Sequence, residues 1–278
     1  MKLAISILTL SLTSAVMAEL TPGYVVTSGA PFPIVADFNG DGLDDLIQER
    51  NVVLNDGTSL AEVRDLGLAG ERVVGVLDAN GDGRLDLLTE GSAVMVPAPL
   101  PQPPRQGPGY RLYMADESRN FPNGIGISTG VRPYIADVDA DGKDDFVLLT
   151  DVRPDGFRTT ATEVTVLRSR GDGTFDRLEP FSIVPGFQIY PSHRVLSGDL
   201  NHDGLPDLVI RCVNDLVVLL GTGGGRFAVR TRHLPTNPSF GSQSARLGDV
   251  DGDSHPDVVL QALRGIRVFF GDGRGNFP

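Results

Sequence analysis

Five copies of one nine-residue pattern hold most of the side chains in this sequence that could do metal chemistry. The copies read DFNGDGLDD at 37–45, DANGDGRLD at 78–86, DVDADGKDD at 137–145, DLNHDGLPD at 199–207 and DVDGDSHPD at 249–257. Their common form is D-x-D/N-x-D-G-x-x-D, and Ser254 replaces the glycine in the fifth copy. Asp and Asn at this density form either metal sites or Asx turns that hold no metal.

The spacing of the pattern favours a calcium site in each loop. When the loop curls, the side chains at positions 1, 3, 5 and 9 turn toward one centre, and the backbone carbonyl of position 7 completes an oxygen cage. Glycine at position 6 permits the sharp turn. Three or four carboxylates packed together without a cation would repel one another, which argues against the metal-free alternative.

The predicted ligands take the same five positions in every copy. They are Asp37, Asn39, Asp41, Leu43 and Asp45; Asp78, Asn80, Asp82, Arg84 and Asp86; Asp137, Asp139, Asp141, Lys143 and Asp145; Asp199, Asn201, Asp203, Leu205 and Asp207; and Asp249, Asp251, Asp253, His255 and Asp257. Up to five Ca²⁺ ions are expected. The fifth loop is expected to bind most weakly, because Ser254 would strain its turn.

The sequence around the loops excludes the helix-flanked EF-hand. An EF-hand needs Glu at position 12 and a helix on each side of its loop. Position 12 is occupied here by Gln48, Thr89, Leu148, Ile210 and Leu260. The flanking segments are short β-type runs, for example Pro33–Ala36 before the first loop and Leu46–Gln48 after it.

A hairpin turn follows each loop further along the chain. Val164–Leu167 leads into GDGTF at 171–175, and Arg267–Phe270 leads into GDGRGNF at 271–277. The second copy, ADESRNF at 115–121, lacks the glycines. The predicted repeating unit is therefore strand, loop, strand, strand, hairpin turn and strand.

These loops and turns resemble the two marks of the FG-GAP/VCBS repeat family, which occurs in integrin α-subunit propellers and in bacterial secreted proteins. The resemblance covers essentially all of residues 19–278. It implies an all-β propeller of four-stranded blades, with Ca²⁺ in the loop between the first two strands of each blade. It also implies an extracellular binding or adhesion module.

The spacing of the loops predicts five blades in a single domain, residues 19–278. Loop-to-loop distances are 41, 59, 62 and 50 residues, and closing the ring through the two chain ends gives 48. The strand-like segment Gly23–Ser28 is expected to supply the fourth strand that the last blade lacks. An open ring that completes itself by dimerisation is the alternative.

The N-terminus indicates a secreted protein, and the net charge argues against a nucleic-acid partner. Residues 1–18 combine Lys2 with the apolar run Leu3–Val16 and small residues ending at Ala18, as in a cleaved signal peptide. The net charge of −12 becomes −13 without Lys2, and five Ca²⁺ would offset ten of those charges. An acidic chain is not expected to bind nucleic acid, and no later segment is apolar enough to span a membrane.

The sequence offers no catalytic constellation. Its four histidines, His193, His202, His233 and His255, form no triad and no zinc spacing. We therefore expect a non-catalytic, calcium-braced module that binds a protein or glycan partner. A lectin or a polysaccharide lyase on the same propeller is the alternative. The Pro-rich segment 97–109 is expected to form an exposed, extended loop and not a central strand. Residues 151–162 are expected to lengthen the third unit in a similar way.

Overall fold

The fold is built from β-strands joined by short loops and turns. The computed structural model describes residues 33–68, 70–96, 105–127, 129–152, 161–183, 195–211, 215–233, 245–262 and 265–278. Within those ranges the regular elements are 20 strands and no helix. In the same ranges we find no helix of the length and hydrophobicity needed to cross a bilayer.

The strands follow one another in five groups along the chain. They are β1 (Ile34–Ala36), β2 (Asp45–Gln48), β3 (Asn51–Asn55), β4 (Leu60–Asp65); β5 (Arg72–Leu77), β6 (Asp86–Val96), β7 (Arg105–Tyr113), β8 (Gly124–Ile127); β9 (Tyr134–Ala136), β10 (Asp145–Val152), β11 (Ala161–Ser169), β12 (Phe175–Arg177), β13 (Phe181–Ile183); β14 (Val195–Gly198), β15 (Asp207–Arg211), β16 (Asp215–Gly223), β17 (Arg226–His233); and β18 (Ala245–Gly248), β19 (Asp257–Ala262), β20 (Gly265–Phe269).

Each group forms one antiparallel sheet whose strand order is the chain order. The first, second and fourth sheets have four strands, β1–β4, β5–β8 and β14–β17. In the third sheet both β12 and β13 pair with β11, so its outer strand is split in two. The described part of the fifth sheet has three strands, β18–β20. First strands of neighbouring sheets contact one another, as β1 does β5 and β14 does β18. The result is an all-β, five-bladed propeller, as predicted.

The hydrophobic core lies between consecutive blades. One buried cluster joins the first and second blades through Phe38, Val52, Leu87 and Tyr113, and another joins the second and third through Leu88, Leu112 and Phe146. Val147, Val166, Leu208 and Val217 join the third and fourth, and Val218, Val258, Leu260 and Phe269 join the fourth and fifth. Among the described residues, no such cluster joins the fifth blade to the first.

The expectation for the Pro-rich segment is partly wrong. Residues 105–109 belong to β7, which pairs with β6 as far as Val96. The register shifts between Gly91 and Val94, opposite Pro108, and a bulge of this kind accommodates a residue without an N–H. In the second insertion, Asp151, Val152, Ala161 and Thr162 likewise lengthen β10 and β11. The connecting residues 97–104 and 153–160, the segment Gly23–Ser28 and residues 1–18 lie outside the described ranges.

Candidate metal centre

All five acidic loops lie at one end of the propeller. Each loop leaves the first strand of its blade and ends at the first residue of the second strand, so that Asp45, Asp86, Asp145, Asp207 and Asp257 begin β2, β6, β10, β15 and β19. The hairpin turns between third and fourth strands come back to the same end, because the strands are antiparallel. The sequence-predicted ligands of each copy therefore lie in one loop, beside one turn.

Backbone N–H groups organise the carboxylates at the start of each loop. In the first loop the Asp37 carboxylate accepts hydrogen bonds from the N–H of Gly40, Asp41 and Gly42 at 2.7, 3.1 and 2.8 Å. Asp41 Oδ1 accepts one from Leu43 N at 2.8 Å. Gly42, at position 6, has φ +87°, the left-handed conformation that the sharp turn requires. The loop is thus held in a curl.

The Asp at position 9 is fully buried and ties the loop to the turn. Asp45 Oδ2 accepts a bond from Phe38 N at 3.0 Å, and its Oδ1 accepts one from Asn55 N at 2.8 Å in the hairpin turn. The equivalent pairs of donors are Ala79 and Ala115 to Asp86, Val138 and Ser169 to Asp145, Leu200 and Gly221 to Asp207, and Val250 and Gly271 to Asp257. Sequence reasoning predicted this residue as a ligand and missed its role as a clamp.

Burial perturbs two of these carboxyls strongly. Desolvation raises the pKa of Asp86 to about 6 and that of Asp145 to about 6, although the backbone N–H donors lower both. Neighbouring carboxylates of the same loops raise them further. A cation among those carboxylates would have the opposite effect, because it favours the charged form.

The third loop fits a metal ion best. Asp137, Asp139 and Asp145 bring ligand oxygens within 4.8 Å of one another. Asp139 Oδ1 is buried and accepts no hydrogen bond, whereas its Oδ2 lies 3.5 Å from Arg168 Nη1. A buried carboxylate oxygen without a donor is costly unless a cation meets it. Hard oxygen donors of this kind suit Ca²⁺.

The other loops share this arrangement with local differences. Asp249, Asp251 and Asp257 also bring ligand oxygens within 4.8 Å. Where position 3 is Asn, its amide donates to the position 5 carboxylate, as Asn39 does to Asp41 at 2.8 Å. The position 7 side chains of Arg84 and Lys143 form ion pairs with Asp82 and Asp141, and the bond to Asp141 raises the pKa of Lys143.

Hydrogen bonds from the following blade reach the first, second and fourth loops. Arg119 Nη1 of the second blade donates to Phe38 O at 2.7 Å, Ser169 Oγ of the third donates to Ala79 O at 2.6 Å, and Gly275 N of the fifth donates to Leu200 O at 3.1 Å. Two further bonds, both 2.8 Å, join Asp78 of the second loop to Asp144 of the third. The second and third loops are therefore hydrogen-bonded directly to each other.

The fifth loop is the least covered. Its position 2 residue, Val250, is 53% exposed, whereas Phe38, Ala79, Val138 and Leu200 are at most 2% exposed. Ser254 takes φ +71°, the conformation that glycine takes in the other loops, and its N–H still bonds to Asp249. The curl is preserved, with a side chain in a strained conformation.

Two histidines meet between the fourth and fifth loops. His202 Nε2 lies 2.8 Å from His255 Nδ1, with ring centroids 5.0 Å apart. Sequence reasoning missed this pair because the residues are far apart in the chain. Their positions 4 and 7 in consecutive copies were the available signal.

A polar cavity of about 580 Å³ lies at the other end of the propeller. It is lined by Glu49, Gly70, Glu71, Arg72, Glu90 and Gly91. Arg72 pairs with Glu90 at 2.5 Å, and Glu71 accepts bonds from Arg111 at 2.8 Å and from Thr89 Oγ1 at 2.5 Å. Glu49 has φ +56°, a left-handed conformation that is uncommon for this residue type. No motif in the sequence indicated this cavity.

Comparisons with known proteins agree with this architecture. No curated protein matches the chain by sequence. Among solved structures, a lectin from Agrocybe aegerita, described as recognising non-reducing terminal N-acetylglucosamine, is 20% identical with a TM-score of 0.64. The likeness covers 92% of this chain and 66% of the lectin chain, so the chain spans just under two thirds of the lectin's length.

Two further structures resemble the chain less closely. The rhamnogalacturonan lyase YesW is 18% identical over 91% of this chain and 52% of its own, with a TM-score of 0.47. The Tc holotoxin pore of Photorhabdus luminescens is 18% identical over 90% of this chain and 12% of its own, with a TM-score of 0.45.

Fold and loops together define a β-propeller with an acidic loop in every blade. A family model described as an FG-GAP-like repeat matches residues 137–210 and 199–260, which include the third, fourth and fifth loops. Residues 137–260 of the chain therefore carry FG-GAP-like repeats.

Proposed function

We propose that this chain is a secreted, non-catalytic propeller that binds Ca²⁺ in its loops and presents its surface to an extracellular partner. The buried, unpartnered Asp139 Oδ1 within the Asp137, Asp139 and Asp145 cluster is the observation that carries the calcium proposal. In each loop the residues at positions 1, 3, 5 and 9 and the carbonyl of position 7 would hold the ion. Bound Ca²⁺ supplies positive charge that offsets the clustered carboxylates.

Bound calcium would raise the free energy of unfolding. Extracellular calcium modules bind with Kd of roughly 10⁻⁴–10⁻³ M. At millimolar Ca²⁺ and the tight end of that range, each occupied site adds about 1–1.5 kcal/mol to the free energy of unfolding. Because the first, second and fourth loops are bonded to the following blades, these contributions would stabilise blade-to-blade packing.

Chelation tests the calcium proposal. We expect Tm in 5 mM CaCl₂, a concentration of about fifty Kd at the tight sites, to fall by several degrees when EDTA replaces calcium. Asp139→Asn should reduce the calcium stoichiometry, measured by isothermal titration calorimetry. Asp172→Asn, in an exposed hairpin turn, is the matched control. An unchanged Tm with EDTA would remove the calcium proposal.

A second candidate function is saccharide binding in the cavity formed by Glu49, Glu71, Arg72 and Glu90. The cavity is polar, carboxylates accept hydrogen bonds from sugar hydroxyls, and a lectin shares the fold. Its lining has three acidic groups and one basic group, so an uncharged saccharide suits it better than a uronate polymer.

A glycan array that includes terminal N-acetylglucosamine tests the second candidate. We expect binding to an uncharged glycan that Glu49→Gln weakens and that Glu179→Gln, an exposed residue outside the cavity lining, leaves unchanged. No binding, or binding unaffected by Glu49→Gln, would contradict it. Uronate polymers should be neither bound nor cleaved.

A further inference from the structure

The two loop histidines meet because consecutive loops place the same two positions side by side. Lys143, at position 7 of the third loop, lies against Gly81, at position 4 of the second, since a Cβ on Gly81 would meet Lys143 Cγ at 3.2 Å. His202 and His255 hold these same positions, 4 and 7, in the fourth and fifth loops. Their contact is therefore a product of the repeat geometry.

The junction of the fourth and fifth loops is where both positions carry an imidazole. Across the five copies, position 4 is occupied by Gly40, Gly81, Ala140, His202 and Gly252, and position 7 by Leu43, Arg84, Lys143, Leu205 and His255. Imidazole nitrogen is a ligand for Zn²⁺, Cu²⁺ and Ni²⁺, whereas Ca²⁺ takes oxygen ligands. The pair thus differs in chemistry from the acidic loops on either side of it.

The backbone around the two rings limits their movement. His255 is half-buried, and its ring lies over the hairpin turn of the fifth blade, where a Cβ on Gly273 would meet His255 Nδ1 at 2.6 Å. Gly275 N of the same turn donates to Leu200 O at 3.1 Å, which holds the turn against the loop that carries His202. The two imidazoles are therefore placed by packing between the blades.

The spacing of the facing nitrogens suits a shared metal ion. His202 Nε2 and His255 Nδ1 are 2.8 Å apart. With metal–nitrogen bonds of about 2.0–2.1 Å, two imidazole nitrogens on one ion lie about 2.9–3.4 Å apart. His202 is exposed, so a small rotation of its side chain gives this separation. In the hydrogen-bonded pair one ring donates to the other, and the other tautomer of the donor ring leaves a lone pair on both facing nitrogens.

The charge of the two loops favours a further cation. Residues 199–207 and 249–257 together contain seven Asp and no Lys or Arg. Two Ca²⁺ ions would offset four of these negative charges, so the loops stay net negative even when calcium fills them. A divalent ion approaching the imidazoles is attracted by this remaining charge.

We propose that His202 and His255 form a site for a divalent transition-metal ion of the Zn²⁺ type, separate from the calcium loops. His202 Nε2 and His255 Nδ1 bind the ion, and water fills its remaining positions on the exposed side. The ion links the fourth loop directly to the fifth. The proposal does not rest on calcium binding, because neither imidazole nitrogen is among the predicted calcium ligands.

Zinc titration in excess calcium tests the site. With about 5 mM CaCl₂ present to occupy the acidic loops, isothermal titration calorimetry with ZnCl₂ should show one Zn²⁺ per chain. His202→Asn keeps a residue that tolerates φ +60°. This variant and His255→Gln should each weaken zinc binding by at least about tenfold, because each removes one of two protein ligands. His233→Gln, at the end of β17, is the matched control and should leave the zinc affinity unchanged.

The absence of zinc binding, or a zinc affinity that neither His202→Asn nor His255→Gln changes, would overturn the proposal. Zinc that is displaced as CaCl₂ is raised would lie in the acidic loops, and this result would also overturn it. Nitrogen-15 NMR of the imidazoles gives a second measurement on the unsubstituted chain, so it holds even if a substitution disturbs folding. Zinc should shift His202 Nε2 and His255 Nδ1 together, and unshifted resonances would contradict the site.

Discussion

At the scale of single residues, the Asp at position 9 is a proposed metal ligand and also joins the loop to the hairpin turn by hydrogen bonds. Its two oxygens accept backbone N–H groups from the loop and from the hairpin turn, as Asp145 does from Val138 and Ser169. One oxygen of Asp145 also lies within 4.8 Å of an oxygen of Asp137 and of Asp139. A neutral Asn at this position would lose the charge offered to the proposed metal ion and one of the two backbone contacts.

The backbone conformation of Ser254 should lower both the stability and the calcium affinity of the fifth loop. We expect Ser254→Gly to raise the free energy of unfolding by about 1 kcal/mol, because glycine takes φ +71° without a steric penalty. The calcium affinity of the weakest site should rise in parallel. Chemical denaturation and calcium titration measure the two effects.

The third loop offers the reverse substitution as a control. Gly142 occupies the same position at φ +83°, and a side chain there would meet no atom within 4 Å. Gly142→Ser should therefore lower stability through backbone strain alone. If Ser254→Gly destabilised the protein while Gly142→Ser did not, strain at position 6 would be the wrong explanation.

At the scale of elements, the hairpin turn is the part that joins one blade to the next. Ser169, the last residue of β11 before the turn, is the clearest example, since its hydroxyl donates to Ala79 O in the preceding loop and both groups are buried. We expect Ser169→Ala to lower the free energy of unfolding by about 1–3 kcal/mol, because a buried carbonyl loses its donor. Urea denaturation measures it.

Thr174→Ala in the same turn is the matched control. Its hydroxyl donates to the exposed Asp172 carboxylate. Loss of this bond should change stability by less than about 0.5 kcal/mol. Equal effects of the two substitutions would show that the turn itself, and not its bond to the second loop, is being measured.

The order of the elements could be predicted from the sequence because loop and turn residues mark the ends of the strands. Gly42 and Gly171 adopt the positive φ that their motifs require, and the short apolar runs between them are strands. Pro108 was misjudged because a bulge in β6 opposite it is set by the pairing of the two strands, which composition does not encode. The split of β12 and β13 had no local signal either.

At the scale of the whole molecule, five loops were enough to predict five blades, because one loop belongs to each repeating unit. The contacts between blades could not be predicted from the repeats. Arg119 and Phe38, or His202 and His255, are distant in sequence and share no motif. The cavity at Glu49 depends on how two blades pack, so it too was absent from the sequence pattern.

The two ends of the propeller differ in how much their connections vary. At the loop end, every blade has the same nine-residue loop. At the opposite end, the second and third strands are joined by two residues in the first blade (49–50) and in the fifth (263–264), and by eight in the second (97–104) and in the third (153–160). New peptide sequence grafted into those longer connections would be displayed from one pole, without disturbing the acidic loops at the other.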